Sequence, residues 1–155
     1  MSDTHFGHHK LITSGYRPPM CYKMMIDSVK NLSENDVLIH LGDFSFYADE
    51  LWHKAFMDAC KCKRWLVKGN HDKRSNAWYL SHGWDCVADS IQMNMFGKVI
   101  FFTHIPISTI HDSINVHGHL HNCTWRDNSN LTDNHFLVKM EHDYKPVNLR
   151  KLIGM

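Results

Sequence analysis

The sequence predicts an α/β layered domain whose functional residues meet at one edge, and three observations carry that expectation. Short apolar runs recur along the chain, helix-patterned segments lie between them, and polar clusters come directly after the runs. Val37-Leu38-Ile39-His40-Leu41 is nearly continuously apolar and ends at Gly42-Asp43, the pattern of a strand buried on both faces. Trp65-Leu66-Val67 repeats it before Gly69-Asn70-His71-Asp72, and Val99-Ile100-Phe101-Phe102 repeats it before Thr103-His104. A weaker version, Ile114-Asn115-Val116, leads into His117-Gly118-His119-Leu120-His121.

Helices are expected from about Pro19 to Leu32, with proline near the first turn, from about Asp49 to Cys60, and from Ser75 to His82. Asp89 to Thr103 reads as a hairpin, because Ile91, Met93 and Met95 alternate before a turn at Phe96-Gly97-Lys98. Phe136 to Met140 reads as a late strand, and Val147 to Ile153 as a short closing helix or strand. In open α/β sheets polar functional residues collect beyond the carboxyl ends of strands. Asp43, Asn70-His71-Asp72, His104 and His119/His121 are therefore expected to converge.

A chain of 155 residues fits one domain, 1–155, and no internal repeat or Pro/Gly/Ser-rich linker divides it. No stretch approaches the ~20 apolar residues of a membrane span. Met1-Ser2-Asp3-Thr4-His5 lacks the basic start and apolar run of a secretory signal, so a soluble, cytoplasmic protein is expected. The five cysteines are odd in number and form no CxxC pair, which disfavours a disulfide framework or a Cys-rich zinc site. A net charge of +1 provides no broad attraction to nucleic acid or anionic membrane. Histidine is the anomaly: of 14 residues, five fall between His104 and His121, and neutral imidazole is the commonest metal ligand.

The expected constellation is Asp3, His5, Asp43, Asn70, His71, His104, His119 and His121, oxygen and nitrogen donors without a thiolate. Such a set suits manganese, iron, zinc or nickel and exceeds the needs of one ion. Two ions ~3.5 to 4 Å apart, bridged by a carboxylate, would clamp the attacking and leaving oxygens of a phosphoryl displacement. His9, His40, His111 and His117 read as structural or supporting residues, while His8 lies close enough to the first block to contact substrate. Arg17 and Arg126 are the guanidiniums nearest the motif blocks and suit forked binding of a phosphate. Lys61-Cys62-Lys63-Arg64 reads as the cationic end of the helix that starts at Asp49.

Taken in order, Asp3-Thr4-His5, Gly42-Asp43, Gly69-Asn70-His71-Asp72, His104 and Gly118-His119-Leu120-His121 make the chain resemble the calcineurin-like metallophosphoesterases. Asp-Thr-His-Phe-Gly-His at 3 to 8 and Leu-Gly-Asp-Phe-Ser at 41 to 45 look most like a compact bacterial and phage branch. The resemblance implies a four-layer β-sandwich flanked by helices, with a binuclear site at the strand ends. It implies one ion on Asp3, His5 and His121, a second on Asn70, His104 and His119, and Asp43 bridging them. His71 would stand beside the ions as phosphoryl stabiliser or general acid, while a hydroxide shared by the metals attacks phosphorus. Only Met1-Ser2 precedes Asp3, where the family carries an apolar strand, so that strand is expected to be short, to start upstream of this sequence, or to be replaced by another segment.

These observations point to a hydrolase of phosphodiesters or nucleotide-like phosphomonoesters. The alternatives are a protein phosphatase or nuclease on the same scaffold, or a non-catalytic metal-binding scaffold. A nuclease would more often carry a basic groove than a charge of +1 suggests.

Overall fold

A computed structural model describes residues 1–109, 112–121 and 131–155 of the chain. Its strands form two sheets. The first is parallel, in the order β1 (Val37–His40), β2 (Lys63–Val67), β3 (Cys86–Ala88). The second has the order β4 (Ser90–Met95), β5 (Lys98–Thr103), β6 (Ile114–His117), β7 (His135–Leu137), with β4 antiparallel to β5 and the remaining pairs parallel.

Side-chain alternation divides the apolar residues of the first sheet between two cores. Leu38 and Leu66 face a cluster with Met25, Val29, Phe44 and Phe56, which brings α2 (Cys21–Val29) and α3 (Asp49–Ala59) onto that face. Ile39, Leu41 and Val67 face the other way, against Ile100, Phe102, Ile114 and Val116 of the second sheet. The two sheets thus share one apolar layer, with helices outside the first of them, as sheet packing requires when each face carries its own apolar set.

Local sequence accounts for most elements. On α2 the buried positions Cys21, Tyr22, Met25 and Val29 match the helical repeat. Asp49 and Glu50 sit in the first turn of α3, where the exposed N–H groups favour carboxylates. The Ser75 side chain accepts from the Trp78 N–H at 3.2 Å and caps α4 (Asn76–Ser81). At the hairpin tip Met95 pairs with Lys98, and both intervening residues, Phe96 and Gly97, have positive φ, as a two-residue mirror-image turn demands. Arg64 donates to the carbonyl of Cys60 at 3.1 Å, placing a cation at the end of α3 as expected, although Lys63 and Arg64 themselves belong to β2.

The differences from expectation are local. The helix expected from Pro19 to Leu32 is confined to Cys21–Val29, and the closing segment is a single helix, α5 (Leu149–Leu152). Two elements were not anticipated: α1 (His9–Thr13), which buries no residue, and β3, whose three residues are all half-buried. Neither has the periodic apolar signal that sequence reading depends on.

The edge beside β1 is occupied by the N-terminal residues themselves. Met1 N donates to Ile39 O at 2.9 Å, and Leu41 N donates back to Met1 O at 2.9 Å. Further bonds run from Asp3 N to Gly42 O, His5 N to Asp43 O and Phe6 N to Phe44 O. These bonds hold Asp3 and His5 beside the Gly42-Asp43 turn. No helix among the described residues is long and apolar enough to cross a membrane.

Candidate metal centre

Each predicted donor lies just past a strand or in the N-terminal segment that runs beside β1. Asp43 comes after β1, Asn70 and His71 after β2, His104 after β5, and His119 and His121 after β6. Among the described residues eight non-glycine positions have positive φ, and five of them are Asp3, His5, Asp43, His119 and His121. That backbone region costs on the order of 1 kcal/mol or more per residue, and such conformations concentrate where a site needs side chains aimed inward.

The turns are held by a dense set of buried hydrogen bonds. Asp72 accepts from Asp43 N at 2.7 Å, Gly69 N at 2.8 Å and Phe44 N at 3.1 Å, stapling the turns after β1 and β2 together. Gly42 (φ +90°) and Gly69 touch back to back, so that a Cβ on Gly42 would overlap the Gly69 backbone. His40 accepts from Gly42 N through Nδ1 at 3.2 Å and donates through Nε2 to Thr4 Oγ1 at 3.1 Å, and Thr4 donates to Phe44 O at 2.7 Å. This chain ties the Asp3-Thr4-His5 segment to the Gly42-Asp43 turn, and burial holds His40 neutral.

Two donor groups result, Asp3/His5/His121 and Asp43/His104/His119, and within each the donor atoms all lie within 4.8 Å of one another. His121 Nε2 is 3.3 Å from Asp3 Oδ1 and 3.2 Å from His5 Nε2. His104 Nε2 is 3.4 Å from Asp43 Oδ2, 3.1 Å from His119 Nδ1 and 3.0 Å from Asn70 Oδ1. Asp43 Oδ2 also lies 3.6 Å from His5 Nε2, so this one carboxylate faces both groups.

The donor set fits cations. Asp3 Oδ2 is satisfied by His119 N at 2.9 Å and by Ser2 Oγ, whereas its buried Oδ1 has no hydrogen-bond partner and points toward the histidine nitrogens. Asp43 repeats the arrangement, with Oδ1 taken by His71 N at 2.8 Å and Oδ2 turned inward. His104 donates its Nδ1 proton to Leu41 O at 2.7 Å, which leaves the Nε2 lone pair facing the centre. Burial raises the Asp3 carboxyl and lowers His5 to about 3, the response of groups desolvated without a positive charge between them. For Asp43 burial works against the charged form, yet His104, the His71 N–H and His5 together keep its carboxyl below the usual range.

The family model for calcineurin-like phosphoesterases matches residues 1–150. The chain belongs to that family. No curated protein matches it. A solved structure, a protein of unknown function from Aquifex aeolicus, is 23% identical, with a TM-score of 0.76 over 97% of this chain and 94% of that one, a likeness of fold.

Around this calcineurin-like phosphoesterase centre opens a cleft of about 640 Å³, lined by His5, Asp43, Asn70, His71, His119 and His121 together with His8, Lys10 and Tyr16. The His71 side chain is 39% exposed, with Nε2 3.9 Å from Asp43 Oδ2. His8 lies flat on Phe46, ring centroids 4.0 Å apart, and Phe46 also packs against His71 at 4.9 Å. Lys10, Tyr16 and Phe46 carry no spacing signal in sequence, because α1 and the loop after Asp43 become walls only through folding.

One expected substrate residue is corrected. Arg17 is 1% exposed, and its guanidinium binds the carbonyls of Asp3 and Thr4, each at 2.7 Å, and the carboxylate of Glu141. It has no surface to offer a phosphate and does not line the cleft. Arg126 and His111 lie outside the described residues. Glu141 was missed altogether: it comes after the late strand, and its side chain accepts from His121 Nδ1 at 2.9 Å. Burial favours its neutral form, but His121 and Arg17 outweigh this and hold the carboxyl at about 2. The only signal in the sequence was an acidic residue set beside apolar Met140.

Proposed function

We propose that this chain is a binuclear-metal-dependent hydrolase of phosphate esters, with phosphodiesters and nucleotide-like phosphomonoesters as its substrate class. The observation that carries the reading is the pair of donor groups sharing Asp43, each with lone pairs aimed inward. Asp3, His5 and His121 would hold one ion, Asn70, His104 and His119 the other, and Asp43 would serve both. Bound ions would supply Lewis acidity toward a phosphoryl oxygen and lower the pKa of water to near neutrality. Oxygen and imidazole donors without thiolate suit manganese, iron, zinc or nickel.

The chain's own groups do the rest. The backbone N–H of His71 fixes one Asp43 oxygen, and the His71 ring, packed on Phe46, reaches the open cleft. There it would donate a proton to a departing oxygen or a hydrogen bond to the phosphoryl group. His8, braced on the same Phe46 ring and lining the cleft, would contact the remainder of the substrate.

The test is hydrolysis by manganese-loaded protein of bis(4-nitrophenyl) phosphate against 4-nitrophenyl phosphate. Turnover of at least one, abolished by chelation and restored by manganese, is expected. A fully metal-loaded protein that cleaves neither these nor any nucleotide phosphoester would overturn the reading in favour of a binding scaffold.

A further inference from the structure

Arg17 and Glu141 join residues that are far apart in sequence. The guanidinium binds the carbonyls of Asp3 and Thr4 on one side and the Glu141 carboxylate on the other, while Glu141 Oε1 accepts from His121 Nδ1 at 2.9 Å. The Arg17 and Glu141 side chains are 0% and 3% exposed. Burying both charges is costly and is offset only by their close pairing and hydrogen bonds, so stability alone would be served as well by a well-packed apolar pair.

We propose that Arg17 and Glu141 are positioning residues for one half of the metal centre, the half formed by Asp3, His5 and His121. This rests on the proposed function, in which those three side chains hold an ion. The carboxylate can only accept, so the proton of His121 stays on Nδ1 and the Nε2 lone pair faces Asp3 Oδ1 and His5 Nε2. The guanidinium then holds that carboxylate and the Asp3-Thr4-His5 segment as one unit, setting the distance between donors that enter from opposite ends of the chain. In the second group His104 is oriented instead by the Leu41 carbonyl. Arg17 and Glu141 reach that group indirectly, through the Asp3 carboxylate that accepts from His119 N and the Thr4 hydroxyl on the Phe44 carbonyl, so the affinity of the first half should fall more than that of the second when this support is removed.

The experiment is titration of metal-free protein with Mn²⁺ by equilibrium dialysis and elemental analysis, for the wild type, Glu141→Gln, Glu141→Ala and Arg17→Met. Outer partners of a ligating histidine are worth roughly 10- to 100-fold in affinity. Glu141→Ala and Arg17→Met should each weaken one of two ions by about that factor and the other by less, with Glu141→Gln falling between. Combining Arg17→Met with Glu141→Ala should cost little more than the worse single change, because both act through one unit. Nitrogen-15 spectra of the metal-free wild type, which require no variant to fold, should show His121 as the Nδ1–H tautomer. Equal weakening of both ions, unchanged affinities, or an Nε2–H tautomer would overturn the inference alone. A wild type that takes up fewer than two ions would overturn the two-ion reading and this inference with it.

Discussion

The Nε2 atoms of His5 and His121 face each other across 3.2 Å, with Asp3 Oδ1 3.3 Å from the second of them. Glu141 accepts a hydrogen bond from His121 Nδ1–H, so its Nε2 presents a lone pair to a carboxylate oxygen that has no donor. Electron-rich atoms held this close in a buried site repel unless a proton or a metal cation lies between them. The protein is expected to bind two ions per chain by elemental analysis, and chelation is expected to lower its melting temperature. Ion concentrations about 100-fold above Kd contribute roughly 2.7 kcal/mol per site, which for a domain of this size is a rise of about 5 °C or more. A melting temperature indifferent to metal would contradict the arrangement.

Asp43 is the one side chain that faces both donor groups among the described residues. Asp43→Asn keeps an oxygen able to accept from the His71 N–H, so the turn should survive while the bridging charge is lost. Both ions should bind more weakly and turnover should fall below detection. Two tightly bound ions with a near-normal rate would remove Asp43 from the bridging position.

His71 lies over the cleft without belonging to either donor group. His71→Ala should retain both ions and lower kcat by roughly 10²- to 10⁴-fold, or about 3 to 5 kcal/mol of barrier. If the ring protonates the leaving oxygen, alkyl esters should suffer more than nitrophenyl esters, since nitrophenolate departs without a proton. Equal losses across leaving groups would identify stabilisation of the phosphoryl oxygens instead. Loss of metal from this variant would place His71 among the ligands.

His53 is buried between Phe44, Trp78 and Trp84, with Nδ1 donating to Asp49 O at 2.8 Å and Nε2 without a partner. Burial pushes it from an ordinary value of 6.5 down to about 4, only partly opposed by Asp49. Because the folded value is the lower one, the unfolded chain takes up a proton first as pH falls. Stability is then full above about pH 6.5 and declines toward pH 4, by on the order of 3 kcal/mol from this group. Urea unfolding of wild type and His53→Leu across that window should show a shallower slope for the variant. Parallel slopes would assign the acid sensitivity to other buried groups.

Sequence by itself determined the donor chemistry and its order. Asp43, Asn70, His104, His119 and His121 each come after a short apolar run, and parallel strands of the two packed sheets deliver the residues beyond their carboxyl ends to one place. The strands of both sheets except β3 and the bounds of α3 to within a residue were legible for the same reason, their signals being periodic and local, although β7 at His135–Leu137 shares only Phe136 and Leu137 with the strand expected from Phe136 to Met140. The contacts that only the tertiary structure decided lie between residues without a sequence relation. Arg17, read as a phosphate ligand, is buried on Glu141, 124 positions away, and Asp72 staples a turn 28 and 29 positions earlier. An isolated charged residue has the same local appearance whether it meets solvent, substrate or a buried partner. Which of these it meets depends on the burial and on the opposing charge that folding brings to it.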